Sequence, residues 1–101
     1  MNAPQAIRRV AIRGRVQRVG YRNWTEYTAL ARGLEGWVRN RADGTVEAVF
    51  AGSADAVAAM IEACRRGPRG ARVEAIDERE GAADDLALRR PGETFSVLAT
   101  T

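Results

Sequence analysis

Residues 14–22, Gly-Arg-Val-Gln-Arg-Val-Gly-Tyr-Arg, constrain this chain more than any other stretch. Val10 and Ile12 alternate with polar residues ahead of Gly14, which predicts a strand over Ile7–Val16 with Arg9, Arg13 and Arg15 on its wet face. A helical segment leads out of the stretch, from about Arg22 to Arg32. A strand, a Gly-bounded loop and a helix in succession build a nest of backbone N–H groups able to hold an anion. Arg22 falls in the first helical turn, a poor place for a cation unless an anion is bound there. Its guanidinium can then clamp one or two phosphate oxygens. A Gly-flanked loop alone is more often a plain turn, so the rest of the chain decides.

Further along, Gly33 suits a helix end in the left-handed conformation. The apolar and small positions of this first helix fit a helical period imperfectly: Thr25, Thr28, Ala29 and the stem of Arg32 form one stripe, and Trp24, Tyr27 and Ala31 another. Gly36–Arg41 and Thr45–Ala51 read as strands joined through Asp43-Gly44, a hairpin signal. Ser53 is a candidate N-cap for a second helix, from Ala54 to Arg65 or Arg66, with Asp55 in its first turn. Val57, Met60, Ile61 and Cys64 fall at i, i+3, i+4 and i+7, a stripe that must face a sheet. Gly67-Pro68 stops the helix. Arg72–Glu80 reads as a fourth strand, residues 81–93 as a polar loop, and Thr94–Leu98 as a short last strand. The order β-α-β-β-α-β with one extra C-terminal strand predicts an α+β fold, a ferredoxin-like sandwich. Two helices pack on one face of an antiparallel sheet. Residues 1–6 are expected to be a loose leader and 7–101 a single domain.

Composition narrows the chemistry by what it lacks. The chain of 101 residues has no histidine, and all 16 basic residues are arginine. That removes the usual general base and zinc ligand, the Ser-His and Cys-His pairs, the lysine of a Walker loop and Schiff-base chemistry. The net charge of +3 favours anionic partners without choosing among them. No apolar run approaches the length of a membrane span, and no signal peptide is visible, so the cytoplasm is the expected location. Cys64 is the single cysteine, in keeping with a reducing compartment. It is read as a buried apolar residue on the second-helix stripe. Asp84 and Asp85 have no further ligands nearby in sequence, and no metal site is expected.

Two motifs carry a family likeness. The first runs Ile12-Arg13-Gly14-Arg15-Val16-Gln17-Arg18-Val19-Gly20-Tyr21-Arg22. The second comprises Gly36, Trp37, Val38, Asn40, Gly44, Val46 and Gly52. Together they resemble the acylphosphatases, small enzymes that hydrolyse the mixed anhydride of a carboxylic acid and phosphate, over about residues 7 to 98. The resemblance implies a hydrolysis without metal or cofactor, acting on a small acyl phosphate. It gives Arg22 the role of phosphate-binding arginine and Asn40 that of holding the attacking water. It gives Gln17, Arg18, Val19, Gly20 and Tyr21 the role of an amide cradle around the phosphate. An amide side chain suits a water-holding task because its oxygen accepts and its nitrogen donates without titrating.

The chain departs from the family pattern at Arg18, where the family usually has glycine. Glycine there permits positive φ and close backbone approach to phosphate, whereas another residue at positive φ carries strain of about 1–3 kcal/mol. The resulting alternative is an acylphosphatase-like domain that binds an anion or a partner protein with little or no turnover. A nucleic-acid-binding sheet is not expected, because the third strand lacks the aromatic pattern of a base-stacking platform. A monomer is expected, with no membrane partner.

Overall fold

The computed structural model describes residues 5–101. The elements are β1 (Gln5–Arg15), α1 (Tyr21–Ala31), β2 (Glu35–Asn40), β3 (Val46–Ser53), α2 (Ala54–Cys64), β4 (Arg72–Glu80), α3 (Ala83–Leu86) and β5 (Phe95–Val97). One five-stranded sheet has the order β4-β1-β3-β2-β5. This is the ferredoxin-like α+β plan, with β4 at one edge. The strand expected from Ile7 begins two residues earlier, at Gln5, paired with Ser53. The rest of the expected leader, residues 1–4, lies outside the described residues.

The sheet is mixed rather than wholly antiparallel. β5 pairs with β2 in parallel, Gly36 opposite Phe95 and Val38 opposite Val97. The segment 81–94 crosses the sheet end and returns on the far side of β2, which sets that direction. Part of this expected loop is the single-turn helix α3, where Asp85 accepts from the N–H of Ala82 at 2.8 Å.

Alternation along the strands produces two faces of different chemistry. Val10, Ile12, Val38, Val46, Ala48, Phe50 and Phe95 point to the helices and meet Tyr21, Ala29, Val57, Met60, Ile61 and Cys64 in one core. In α1 the buried residues are Tyr21, Thr25 and Ala29, four apart: Thr25 and Ala29 come from the first candidate stripe, while Trp24 of the second packs against the core partly buried. Tyr27 of the other stripe is 77% exposed. In α2 the expected stripe is buried and Ser53 caps the helix, its Oγ accepting from the N–H of Ala56 at 3.2 Å. Gly36 has φ 145°, and a Cβ there would sit 1.8 Å from the carbonyl oxygen of Val49. No other residue fits where β2 lies so close to β3.

The opposite face is built from charge around an aromatic. Trp37 is fully buried there, with the guanidinium groups of Arg9 and Arg39 over its ring at 5.7 and 4.7 Å. Its Nε1–H donates to the carbonyl of Asp85 at 2.6 Å, so the α3 turn covers it. Glu47, 4% exposed, accepts from Arg9 Nη2 at 2.6 Å and from Arg39 Nε at 2.9 Å. Burial opposes ionisation of Glu47, but the hydrogen bonds from Arg9 and Arg39 outweigh it and hold the carboxyl below the usual glutamate range. The stability Glu47 supplies is therefore present above its unfolded pKa of about 4.5 and is lost as the pH falls through the lower folded value. Replacing Glu47 by Gln is expected to cost about 2–3 kcal/mol at neutral pH, less than a fully buried pair because both arginines reach water. It should also flatten the acid limb of stability; urea unfolding across that pH range measures both effects.

Candidate active site

The β1–α1 junction is shaped by two residues in the left-handed region, Arg18 with φ 63° and Gly20 with φ 77°. Arg18 is the one non-glycine residue at positive φ among the described residues. Gly20 is the N-cap of α1 and has no side chain to accept from the helix, whose first turn holds no acid. Trp24 is the first residue to donate into the helix, to Gly20 O at 3.0 Å. Among the described residues, no hydrogen bond is made by the N–H groups of Arg18 to Asn23. Helix ends normally satisfy such groups with a cap, so this turn presents a row of free donors at the positive end of a helix dipole.

The donors border a cleft of about 100 Å³ lined by Val16, Arg18, Gly20, Tyr21, Arg22, Asn23 and Asn40. Arg22 and Asn40, from separate parts of the chain, thus share one concavity. Arg22 makes no intramolecular ion pair among the described residues. No carboxylate lines the cleft. The backbone of Asn40 is held by the last residues of the chain, since Thr101 N donates to Asn40 O at 3.1 Å and Leu98 N to Val38 O at 2.8 Å. The Thr101 part of that tether has no sequence signal, because residues 99–101 show no strand pattern.

The residues of the expected cradle part company. Arg18, Gly20 and Tyr21 line the cleft, whereas Gln17 and Val19 do not. Val19 packs against the core. Gln17 turns its amide to the β2–β3 hairpin, Nε2 donating to Arg41 O at 2.8 Å and Thr45 O at 2.9 Å. Asn23, which sequence reading passed over, lines the cleft one residue beyond Arg22. The Tyr21 hydroxyl points away from the cleft and donates to the carbonyl of Cys64, the last residue of α2, at 2.6 Å. Burial raises the Tyr21 phenol far above its ordinary value, and burial likewise pushes the Cys64 thiol up to about 12. Both stay neutral at any physiological pH. Among the described residues, no group of three or more Cys, Asp or Glu is placed to hold a metal ion.

An α+β sandwich of ferredoxin-like plan with a polar, carboxylate-free cleft at its first strand–helix junction is a domain suited to a small anion. The acylphosphatase family model matches residues 8–89. An acylphosphatase of Rhodopseudomonas palustris is 61% identical over 94 residues, covering 93% of this chain and 95% of the relative. One of Bradyrhizobium diazoefficiens is 59% identical over 96 residues, covering 95% and 97%. The solved structure of an acylphosphatase from Coxiella burnetii superposes with a TM-score of 0.82 at 27% identity, covering 94% of each chain. This chain belongs to the acylphosphatase family and is an enzyme of that activity, acting on small acyl phosphates.

Replacing Tyr21 by Phe leaves the buried Cys64 carbonyl without its donor. The expected loss is about 1–2 kcal/mol, a fall in melting temperature of at least about 4 °C for a domain of this size, read by thermal unfolding.

Proposed function

We propose that the carboxyl–phosphate anhydride is cleaved by in-line attack of a water held by Asn40, on a phosphoryl group bound by Arg22 and the free N–H groups of the 18–23 turn. The observation that carries this reading is the meeting of Arg22 and Asn40 in one cleft beside an uncapped helix N-terminus. The Arg22 guanidinium and the turn amides bind the phosphoryl oxygens and stabilise charge as the P–O bond lengthens. Asn40 accepts a hydrogen bond from water and orients its lone pair toward phosphorus, opposite the leaving carboxylate. The acyl group departs as a carboxylate, a good leaving group that needs no protonation. With no carboxylate or histidine lining the cleft, the water's proton passes to a phosphoryl oxygen of the substrate. Gln17 acts here as a positioning residue through the hairpin, and Val19 through the core.

The reaction is assigned to residues 7–101 as one monomeric domain without metal or cofactor. Trp37, the aromatic on the sheet face opposite α1 and α2, is fully buried and offers no stacking platform for nucleic acid. Among the described residues, no helix is long and apolar enough to cross a membrane. A cytoplasmic location fits the single, buried Cys64.

Hydrolysis of a chromogenic acyl phosphate tests the assignment. Arg22→Ala and Asn40→Ala should each lower kcat/KM by about a hundredfold or more, as for loss of a preorganised donor, with folding intact by circular dichroism. EDTA should leave the wild-type rate unchanged. Retention of wild-type rates by both variants would show that these residues do not carry the chemistry.

A further inference from the structure

We propose that Arg18 is a specificity-determining residue, a second anion contact at the cleft rim that favours acyl phosphates whose acyl part carries its own negative charge. The inference rests on the phosphate site read above. Three observations on this chain carry it.

Arg18 holds a left-handed backbone that glycine would adopt without strain. Its exposed guanidinium makes no ion pair or hydrogen bond among the described residues, so nothing in the folded chain accounts for an arginine there. It nevertheless lines the same cleft as Arg22 and Asn40.

Arg18 lies in a stretch of the chain whose charged residues are all arginine. No acidic residue precedes Glu26 in the sequence. Arg15 and Arg72 lie directly opposite each other on β1 and β4, a like-charge placement that destabilises a sheet. The α2–β4 connection packs on the buried Tyr21 ring at Gly67, where a Cβ would meet it at 2.5 Å. Its Arg66 and Arg69 form no ion pair among the described residues. A field of this kind attracts an anion with more charge than one phosphoryl group.

The direction of the reaction places that charge. Water held by Asn40 attacks opposite the leaving carboxylate, so the acyl group projects from the cradle away from Asn40, toward the rim. Arg22 and the turn amides already engage the phosphoryl group. Of the two arginines that line the cleft, Arg18 is the one not engaged by the phosphoryl group, and a carboxylate or second phosphate on the acyl part is the group it pairs with.

The test compares acetyl phosphate with succinyl phosphate, whose acyl chain ends in a carboxylate, for the wild type, Arg18→Gln and Arg18→Lys at low ionic strength. Gln keeps the backbone demand and removes the charge; Lys keeps both. Wild type is expected to favour succinyl phosphate in kcat/KM by about fivefold or more, chiefly through KM. The ratio should fall to near one in Arg18→Gln, persist in Arg18→Lys, and shrink as salt is added. An equal ratio in all three proteins, with both substrates hydrolysed, would overturn the role of Arg18 and leave the phosphate site standing. Folded proteins that hydrolyse neither substrate would overturn the phosphate site itself, and this inference with it.

Discussion

The side-chain amide of Gln17 joins the two segments on which the cleft depends. One nitrogen, Nε2, donates to the carbonyls of Arg41 and Thr45, at the mouth of the β2–β3 hairpin. Asn40 immediately precedes that hairpin, and Arg18 immediately follows Gln17. The segment between Arg22 and Asn40 is a helix and its return, too long a path to set their separation by itself. A carboxylate at position 17 would have no hydrogen to give these oxygens, and a shorter amide would not reach them from the same backbone. The loop after β1 and the end of β2 therefore behave as one frame.

The two long helices begin in opposite ways, and the contrast has a physical reading. α2 starts at Ser53, whose hydroxyl satisfies an N–H of its first turn, with Asp55 near its positive end. α1 starts at Gly20, with neither a capping side chain nor an acid. A cap is generally worth about 1 kcal/mol, so α1 forgoes local stability that α2 takes. Tertiary contacts compensate. Tyr21 is buried in the core, with its ring edge-on to Trp24 at 5.3 Å. Its hydroxyl satisfies a carbonyl at the end of α2, so the start of one helix is fastened to the finish of the other.

Much of this was legible wherever periodicity and turn chemistry agree. The α2 stripe, the Ser53 cap, the Asp43-Gly44 turn and the alternation of β1 each follow from neighbours a few residues apart. The parallel direction of β5 did not, because three residues contain no signal for which way a strand runs. Nor did the shell around Trp37. Its members Arg9, Glu47 and Asp85 are dispersed along the chain and meet only once the sheet register is formed. Within the site, the two motifs marked Arg22 and Asn40 as a pair, but the side-chain direction of Gln17 depends on a hairpin carbonyl that no local pattern reveals.

A chain whose cations are all arginine uses one residue type for two opposed ends, and carboxylate placement separates them. On the sheet face opposite α1 and α2, Arg9 and Arg39 share Glu47, Arg9 also meets Asp85 at 2.8 Å, and Arg13 meets Asp77 at 3.4 Å. There the guanidinium planes serve packing, covering Trp37 while their charge is neutralised within the fold. At the β1–α1 junction no acid lines the cleft, and Arg22 makes no ion pair among the described residues. Lysine would serve the second purpose in part, as a point charge, but its ammonium lacks the flat face that lies against an indole and the fork that matches two oxygens. Neutralised behind the sheet and unneutralised at the cleft, arginine lets one small sheet be firmly covered on one side and anion-ready at one end.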